Sequence, residues 1–389
     1  MSRKKILFLT KWYPHYRDPL DGIFTVDHAK AAAKYNDVFV LFIHSNEDIT
    51  EKRKVVVQES EGLTEMTVYF RDKKWGLGPV DSLRTALKYL GVQFGSYKYV
   101  KEHFGRADVV HVHTMLRATV LALRLKRKYK IPYLITEHWS GYDPNSANHI
   151  GKIKKKLTSF FIKRSAGVTT VSNYLGEQLK LINNSVPYHV ISNTIDEELF
   201  RPTTKSLGNS SKKRLLHIST LSSDPKNFDK ILKVLSQIWK NRQDFEFHAV
   251  GTGEERETHE NLAKDLGLMN GCVTFHGYLE KNEVAKQLNM ADLFILFSKN
   301  ETQSCVLLES FLSGTPAIVP NVGGAKEIIS QINGLLVERN NEEQLRAHIE
   351  SFLDEKVSFD STAIRNEALK YGYQSIGKQF DEVYQSVLK

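Results

Sequence analysis

Short apolar runs alternate with longer amphipathic segments along most of the chain. KILFLT, VFVLFI, DVVHVHT, PYLITEH and GVTTVS in the first half, and LLHIST, FEFHAVG, VTFHGYL, DLFILFS, TPAIVPN and GLLVER in the second, lack the strict apolar–polar alternation of a half-exposed sheet. Such runs predict strands buried on both faces of a parallel sheet. Between them, DHAKAAAK, TVLALRLKRKY, FDKILKVLSQIWKN, ENLAKDLG, EVAKQLNMA, CVLLESFLSG and EEQLRAHIESFLDE have helical composition and the length of crossover connections. The pattern predicts an α/β fold. RPTTKSLGNSSKK, at 201–213, interrupts it with Pro, Gly, Ser and Thr and reads as an interdomain linker. A helical tract from about Ser361 to Lys389 closes the chain. Two βα domains are therefore expected, 1–200 and 201–373.

Composition supports that division. A chain of 389 residues exceeds one ordinary core, and 41% hydrophobic with 25% charged residues excludes a collagen-like or low-complexity chain. The formal charge of +9 is unevenly spread: 31 Lys and Arg face 18 Asp and Glu through Asp196, while the remainder has 23 against 27. A basic first half is expected to meet a polyanion, with lipid phosphate and nucleic acid the usual candidates. Two cysteines, Cys272 and Cys305, make neither a disulfide framework nor a zinc spacing, so a reducing, cytoplasmic compartment is expected. SRKKILFLT is too short for a signal peptide and reads as a first strand, and no window approaches the ~20 apolar residues of a membrane span. Any membrane contact is then peripheral. Neither half carries G-x-G-x-x-G after its first strand, and no G-x-x-x-x-G-K-[ST] occurs, which removes most support for dehydrogenase and P-loop chemistry.

The segment Ala291–Ile329 is the most informative. Glu301 lies in a loop after a strand, and Glu309 lies inside a helix expected to start near Ser304. Five helical residues put Glu309 roughly 7 to 8 Å along that helix, so the two carboxylates are too far apart to share one proton. They suit hydroxyl groups at two ends of an elongated ligand. Between them the helix N-terminus at Ser304, Cys305 and Val306 favours a phosphate. Sugar, diphosphate and ribose fit in that order.

This segment resembles glycosyltransferase family 4, the retaining nucleotide-sugar transferases of the GT-B fold. The E-x7-E pattern of Glu301 and Glu309, followed by SGTPAIVPNVGGAKEII, carries the resemblance, which extends over nearly the whole chain. It implies two Rossmann-like domains facing across a cleft, with a final helix, about 374–389, crossing back to the first. The first domain would bind the acceptor and the second the donor. By resemblance Glu301 contacts the donor sugar and Glu309 the ribose. Gly22, in WYPHYRDPLDGIF, gives backbone access to the donor, with Phe24 on the acceptor side. His138, in TEHWSGY, lies against the donor sugar near the reacting carbon. His113 of DVVHVHT is an acceptor-side candidate, and His111 is core. Lys226, in HISTLSSDPKNFDKIL, matches the lysine that meets the leaving diphosphate, and Tyr278, Leu279 and Glu283 are base-side candidates.

Two positions depart from the family. The arginine usual six residues before the lysine is Thr220, and the glycine usual after the first glutamate is Ser304. The resemblance further implies a metal-independent reaction with no cofactor, in which the leaving phosphate takes the acceptor proton. The absence of a D-x-D motif agrees. The donor is expected to be a UDP-sugar ahead of a GDP-sugar, and the acceptor a glycan or lipid-linked molecule in cell-surface polysaccharide or glycoconjugate synthesis. From Arg117 to Arg164 there are 12 basic residues against Glu137 and Asp143 alone, and GKIKKKLTSFFIKR mixes lysines with apolar side chains. That suits an interfacial helix on an anionic membrane. The alternatives are a GT-B sugar-nucleotide epimerase and a non-catalytic nucleotide-sugar- or nucleic-acid-binding protein; the acidic second half argues against nucleic acid.

Overall fold

The computed structural model describes residues 3–389 apart from 74, 75, 77, 145, 147, 148 and 204–211. The chain divides into two compact units, Met1–Thr194 with Tyr373–Lys389, and Ile195–Gly372. Most of the stretch read as a linker, 204–211, lies outside the described residues.

Unit 1 opens with β1 (Lys5–Thr10), α1 (Ile23–Ala33), β2 (Asp37–Asn46), β3 (Arg53–Ser60), β4 (Leu63–Arg71) and the long helix α2 (Pro79–His103). It continues with β5 (Val109–His113), α3 (Arg117–Tyr129), β6 (Tyr133–Glu137), α4 (Lys152–Ile162), β7 (Gly167–Thr170), α5 (Asn173–Lys180) and β8 (Tyr188–Val190). The strands form one sheet in the order β3-β4-β2-β1-β5-β6-β7-β8. β1, β5, β6 and β7 are apolar runs named above; they are almost wholly buried and pair in parallel, as expected for strands covered on both faces. The parallel expectation stops at the edge, where β3 pairs antiparallel with β4 across a Glu61–Gly62 turn. RKVVVQES is largely exposed, and its three valines stand among charged and polar residues rather than in a long buried run.

Unit 2 contains β9 (Lys213–Ile218), α6 (Phe228–Trp239), β10 (Phe245–Val250), α7 (Arg256–Asp265), β11 (Val273–Gly277), α8 (Lys281–Met290) and β12 (Leu293–Ile295). It ends with α9 (Cys305–Leu312), β13 (Ala317–Pro320), β14 (Gly334–Val337), α10 (Glu342–Leu353) and α11 (Ser361–Ala368). Its sheet runs β11-β10-β9-β12-β13-β14 with every pair parallel. The order reverses between β9 and β12, and in unit 1 between β1 and β5. Such reversal points leave a crevice at the carboxyl ends of the strands, where α/β sheets bind ligands.

The closing helical tract is not continuous. α11 ends in a short turn, Leu369–Tyr371, and α12 (Tyr373–Leu388) belongs to unit 1, where it packs on α1. Its buried residues Tyr373, Ile376, Phe380, Val383 and Tyr384 recur at helical spacing on one face. The Tyr373 hydroxyl donates to Asp27 at 2.6 Å, and Tyr384 is hydrogen-bonded to His111 Nδ1 at 2.7 Å. α1 and α12 thus cover one face of the unit 1 sheet, while α2, α3, α4 and α5 share a separate apolar cluster on the other. None of the described helices is long and apolar enough to cross a membrane.

Candidate active site

In unit 2 the loops leaving β9 and β12 meet at the reversal point. Lys226 Nζ donates to Glu301 Oε1 at 2.7 Å, with 22% and 10% of the two side chains exposed. Backbone and amide contacts hold this pair in place. The Asn227 amide donates to the Phe297 carbonyl and to Asn340 Oδ1, both at 2.9 Å, and the Lys299 N–H donates to the Pro225 carbonyl at 2.8 Å. The Gly324 N–H donates to the Glu301 carbonyl at 3.0 Å. Gly323, at φ +48°, lies so close that a Cβ would overlap the same oxygen, so the Gly-Gly turn can lie against the Glu301 backbone only without a side chain.

Ser304 caps α9, its hydroxyl accepting the Leu307 N–H at 3.4 Å. The N–H groups of half-buried Cys305 and Val306 precede the first intrahelical bond, and Glu309 is buried one turn on. Thr220 is exposed in the loop after β9, 3.5 Å from the Ser222 hydroxyl. The structure therefore assembles Lys226, Glu301 and the α9 start around one reversal point. Tyr278, Leu279 and Glu283 stand elsewhere, at the corner between β11 and α8, two strands from β9; Tyr278 is 41% exposed and Glu283 pairs with Lys286.

In unit 1 the loops after β1, β5 and β6 converge in a different way. Glu137, fully buried, accepts the N–H groups of Met115 (3.2 Å), His138 (3.1 Å) and Trp139 (3.2 Å). Burial raises its pKa, and these donors together with the Lys11 charge oppose that rise. Glu137 was not singled out in the sequence; its one signal was a carboxylate closing an otherwise apolar strand. It fixes the loop that carries His138. The His138 ring, 7% exposed, lies 4.3 Å from Phe24 and its Nε2 is 3.3 Å from His113 Nδ1. Gly22, at φ +64°, turns the chain where a Cβ would overlap the Trp12 carbonyl, and α1 starts next to it.

His113 is wholly buried and stacked 4.5 Å from Phe8; its ring reaches the loop cluster at His138, and its carbonyl accepts the Lys11 N–H at 3.3 Å. His28, also wholly buried, accompanies it, with Nε2 3.0 Å from the Ser192 carbonyl and its ring 5.2 Å from that of His138. Burial lowers the pKa of His28 to about 4 and those of His111, His113 and His138 well below the usual value; neighbouring histidines add to the fall for the last three. The rings are neutral at pH 7. His28, His113 and His138 each offer a nitrogen within 4.8 Å of the others, a grouping that their distant sequence positions conceal. His113 Nδ1 and His138 Nε2 already face each other at hydrogen-bond distance, which suits a stack of neutral rings. Beside the Gly22 loop, a cavity of about 420 Å³ is lined by Tyr13, His15, Tyr69, Gln58 and Glu65, the last hydrogen-bonded to Tyr13.

Two parallel-sheet units, each with loops gathered at its reversal point, make an α/β architecture of the GT-B kind. The family described as "Glycosyl transferases group 1" matches residues 202–374, and "Glycosyltransferase Family 4" matches residues 54–199. The chain belongs to this GT4-like family. It is 29% identical to N-acetyl-alpha-D-glucosaminyl L-malate synthase of Bacillus anthracis over 72% of this chain and 75% of that protein. Its fold is similar to sucrose-phosphate synthase from Thermosynechococcus elongatus (TM-score 0.78, 17% identity, 99% of each chain). It is also similar to Anabaena HepE in complex with UDP (TM-score 0.73, 19% identity, 98% of this chain and 100% of that one). The epimerase and binding-protein alternatives lose their support.

Proposed function

We propose that the protein transfers a sugar from a nucleoside diphosphate sugar, UDP-linked ahead of GDP-linked, to a glycan or lipid-linked acceptor. Unit 2 takes the donor and unit 1 the acceptor. The Lys226–Glu301 pair beside the capped start of α9 carries this reading: a cation and a carboxylate held together near solvent, next to a helix end that attracts anions. Lys226 and the α9 start neutralise the charge that develops on the leaving diphosphate, which is the largest task in such a transfer. Positive charge from protein groups suits a metal-independent reaction. Glu301 and Glu309 accept hydroxyl hydrogens of the sugar and the ribose. Neutral His138, its loop held by Glu137 and its ring by the stack, gives unit 1 a fixed polar edge suited to a sugar hydroxyl. With no nucleophile singled out near the reacting carbon, the reading is front-face attack with retention, the leaving phosphate taking the acceptor proton.

HepE binding UDP supports the uridine preference, and the polar, aromatic cavity beside Gly22 suits a hydroxylated acceptor. α4 exposes Ile153, Leu157 and Phe160 among its lysines, which supports peripheral residence on the anionic inner face of the cell membrane, in the cytoplasm.

Thermal shifts with UDP-glucose, UDP-N-acetylglucosamine and GDP-mannose, each against its bare nucleotide, test the donor. A sugar that stabilises beyond its nucleotide identifies it, and Glu309→Ala should remove both shift and turnover while the protein stays folded. Full turnover in Glu309→Ala rejects the site.

A further inference from the structure

Far along the unit 1 sheet from β5 and β6, the edge hairpin and α2 enclose a cavity of about 620 Å³. Among the described residues six cations bound it: Lys52 and Arg53 at the start of β3, Arg71 and Lys73 at the end of β4, and Arg84 and Lys88 on α2. Its walls include the buried apolar side chains of Phe70 and Val92. Two carboxylates answer part of this charge. Asp72 pairs with Arg84 at 2.8 Å and Lys88 at 3.0 Å, and Asp81 lies 3.6 Å from Arg84. Among the described residues no carboxylate pairs with Lys52, Arg53, Arg71 or Lys73. Like charges gathered at one cavity repel unless an anion occupies it, and the guanidinium groups of Arg53, Arg71 and Arg84 have the planar donor geometry that phosphate accepts.

A second feature lies on the same helix. Val80, Leu83 and Leu87 are 56%, 63% and 62% exposed, and their spacing puts them on one face of α2, beside the face that bears Arg84 and Lys88. A stripe of bare aliphatic side chains next to a basic pocket is the arrangement of an interfacial helix, with apolar groups at the acyl boundary and cations at the headgroups. α3, sharing the apolar cluster of α2 and α4, adds exposed Arg124, Arg127 and Lys128.

We propose that this cavity holds the phosphate headgroup of an anionic glycerophospholipid while Val80, Leu83 and Leu87 enter the bilayer beside it. This rests on the membrane contact proposed for α4, extends it to a second helix with a defined binding site, and is independent of the donor chemistry. A neutral glycan would leave the cations unanswered, and a free phosphate would leave the aliphatic stripe in water.

Co-sedimentation of the full chain with phosphatidylglycerol–phosphatidylcholine vesicles, against phosphatidylcholine alone, tests it. Binding should require the anionic lipid and weaken in high salt. Lys52→Glu with Arg71→Glu, and separately Leu83→Ser with Leu87→Ser, should each lower binding by about tenfold or more. Both should keep the thermal shift given by the sugar nucleotide, which reports folding and the unit 2 site. Wild-type binding by both α2-side variants overturns the proposal, as does loss of binding confined to Ile153→Ser with Phe160→Ser in α4. Stabilisation by inorganic phosphate or glycerol 3-phosphate without vesicle binding means a free-anion site and also overturns it. Loss of the nucleotide-sugar shift in wild type, with vesicle binding intact, sinks the donor reading alone.

Discussion

In unit 2 the loops at the reversal point are joined by a salt bridge that keeps part of both side chains in solvent; in unit 1 they are joined by rings. The unit 2 groups are charged and held by backbone and amide contacts, so a ligand can exchange partners with them without disturbing a core. The unit 1 groups are neutral imidazoles packed against Phe8, Phe24 and Phe380, and the sheet itself depends on that packing. Overall charge follows the same division, with 33 Lys and Arg against 19 Asp and Glu in unit 1 and 21 against 26 in unit 2. One βα plan thus carries an exchangeable ion pair in one unit and a packed wall of rings in the other, and on the proposed function the ion pair is the reactive end.

Removing one member from each set tests this contrast most strongly. Lys226→Ala should lower turnover about 100- to 1000-fold, the scale of losing one preorganised electrostatic group, with little change in stability because the pair is partly solvated. His113→Ala should do the reverse. It empties a fully buried ring position and should cost about 2–4 kcal/mol of stability in urea unfolding, with turnover recovered in the folded fraction. If Lys226→Ala unfolds the chain, or if His113→Ala stays stable and inactive, the division between reactive end and wall is wrong.

The same contrast explains what the sequence made legible. Glu301, Ser304, Glu309 and the Gly-Gly turn occupy one short stretch because a strand, a loop and a helix start build that side of the site locally. Lys226 lies in a comparable loop one strand away. The ring stack is assembled from positions 28, 113 and 138, brought together by sheet order, so no spacing reveals it. The β3–β4 hairpin and α2 escaped for another reason. β3 is largely exposed, with only three valines among charged and polar residues, and α2 buries only scattered positions, so neither stands out as a buried element, and the basic cavity they form was hidden with them.

A milder test uses pH. His28 is held neutral with its pKa lowered to about 4, against 6.5 unfolded. Below 6.5 the unfolded chain gains a proton that the native chain refuses, so the stability due to this group is present above that pH and is lost as pH falls towards 4. Each such group contributes up to about 1.4 kcal/mol per pH unit within that window. His111, His113 and His138 shift in the same direction. Between about pH 7 and about pH 5.5 the wild type should lose stability in urea, and His28→Gln, with one fewer titrating ring, should lose roughly 1 kcal/mol less. Equal losses would mean that water reaches His28 and that the wall is not closed.

The finest test stays within unit 2 and asks whether its charge limits the reaction. Thr220 stands where the resemblance to glycosyltransferase family 4 implies an arginine, in an exposed position whose carbonyl lies where a Cβ on Gly253 would overlap it. Thr220→Arg should therefore add a second cation to the leaving-group region without moving the loop. If developing diphosphate charge governs the rate, kcat should rise several-fold, up to about tenfold, or ~1.4 kcal/mol of added transition-state stabilisation. A lower KM with unchanged kcat would instead mean that the new charge binds donor and transition state equally. Lys226 and the α9 start would then already suffice for the departing diphosphate, and Thr220 would mark a site tuned for release of its nucleotide.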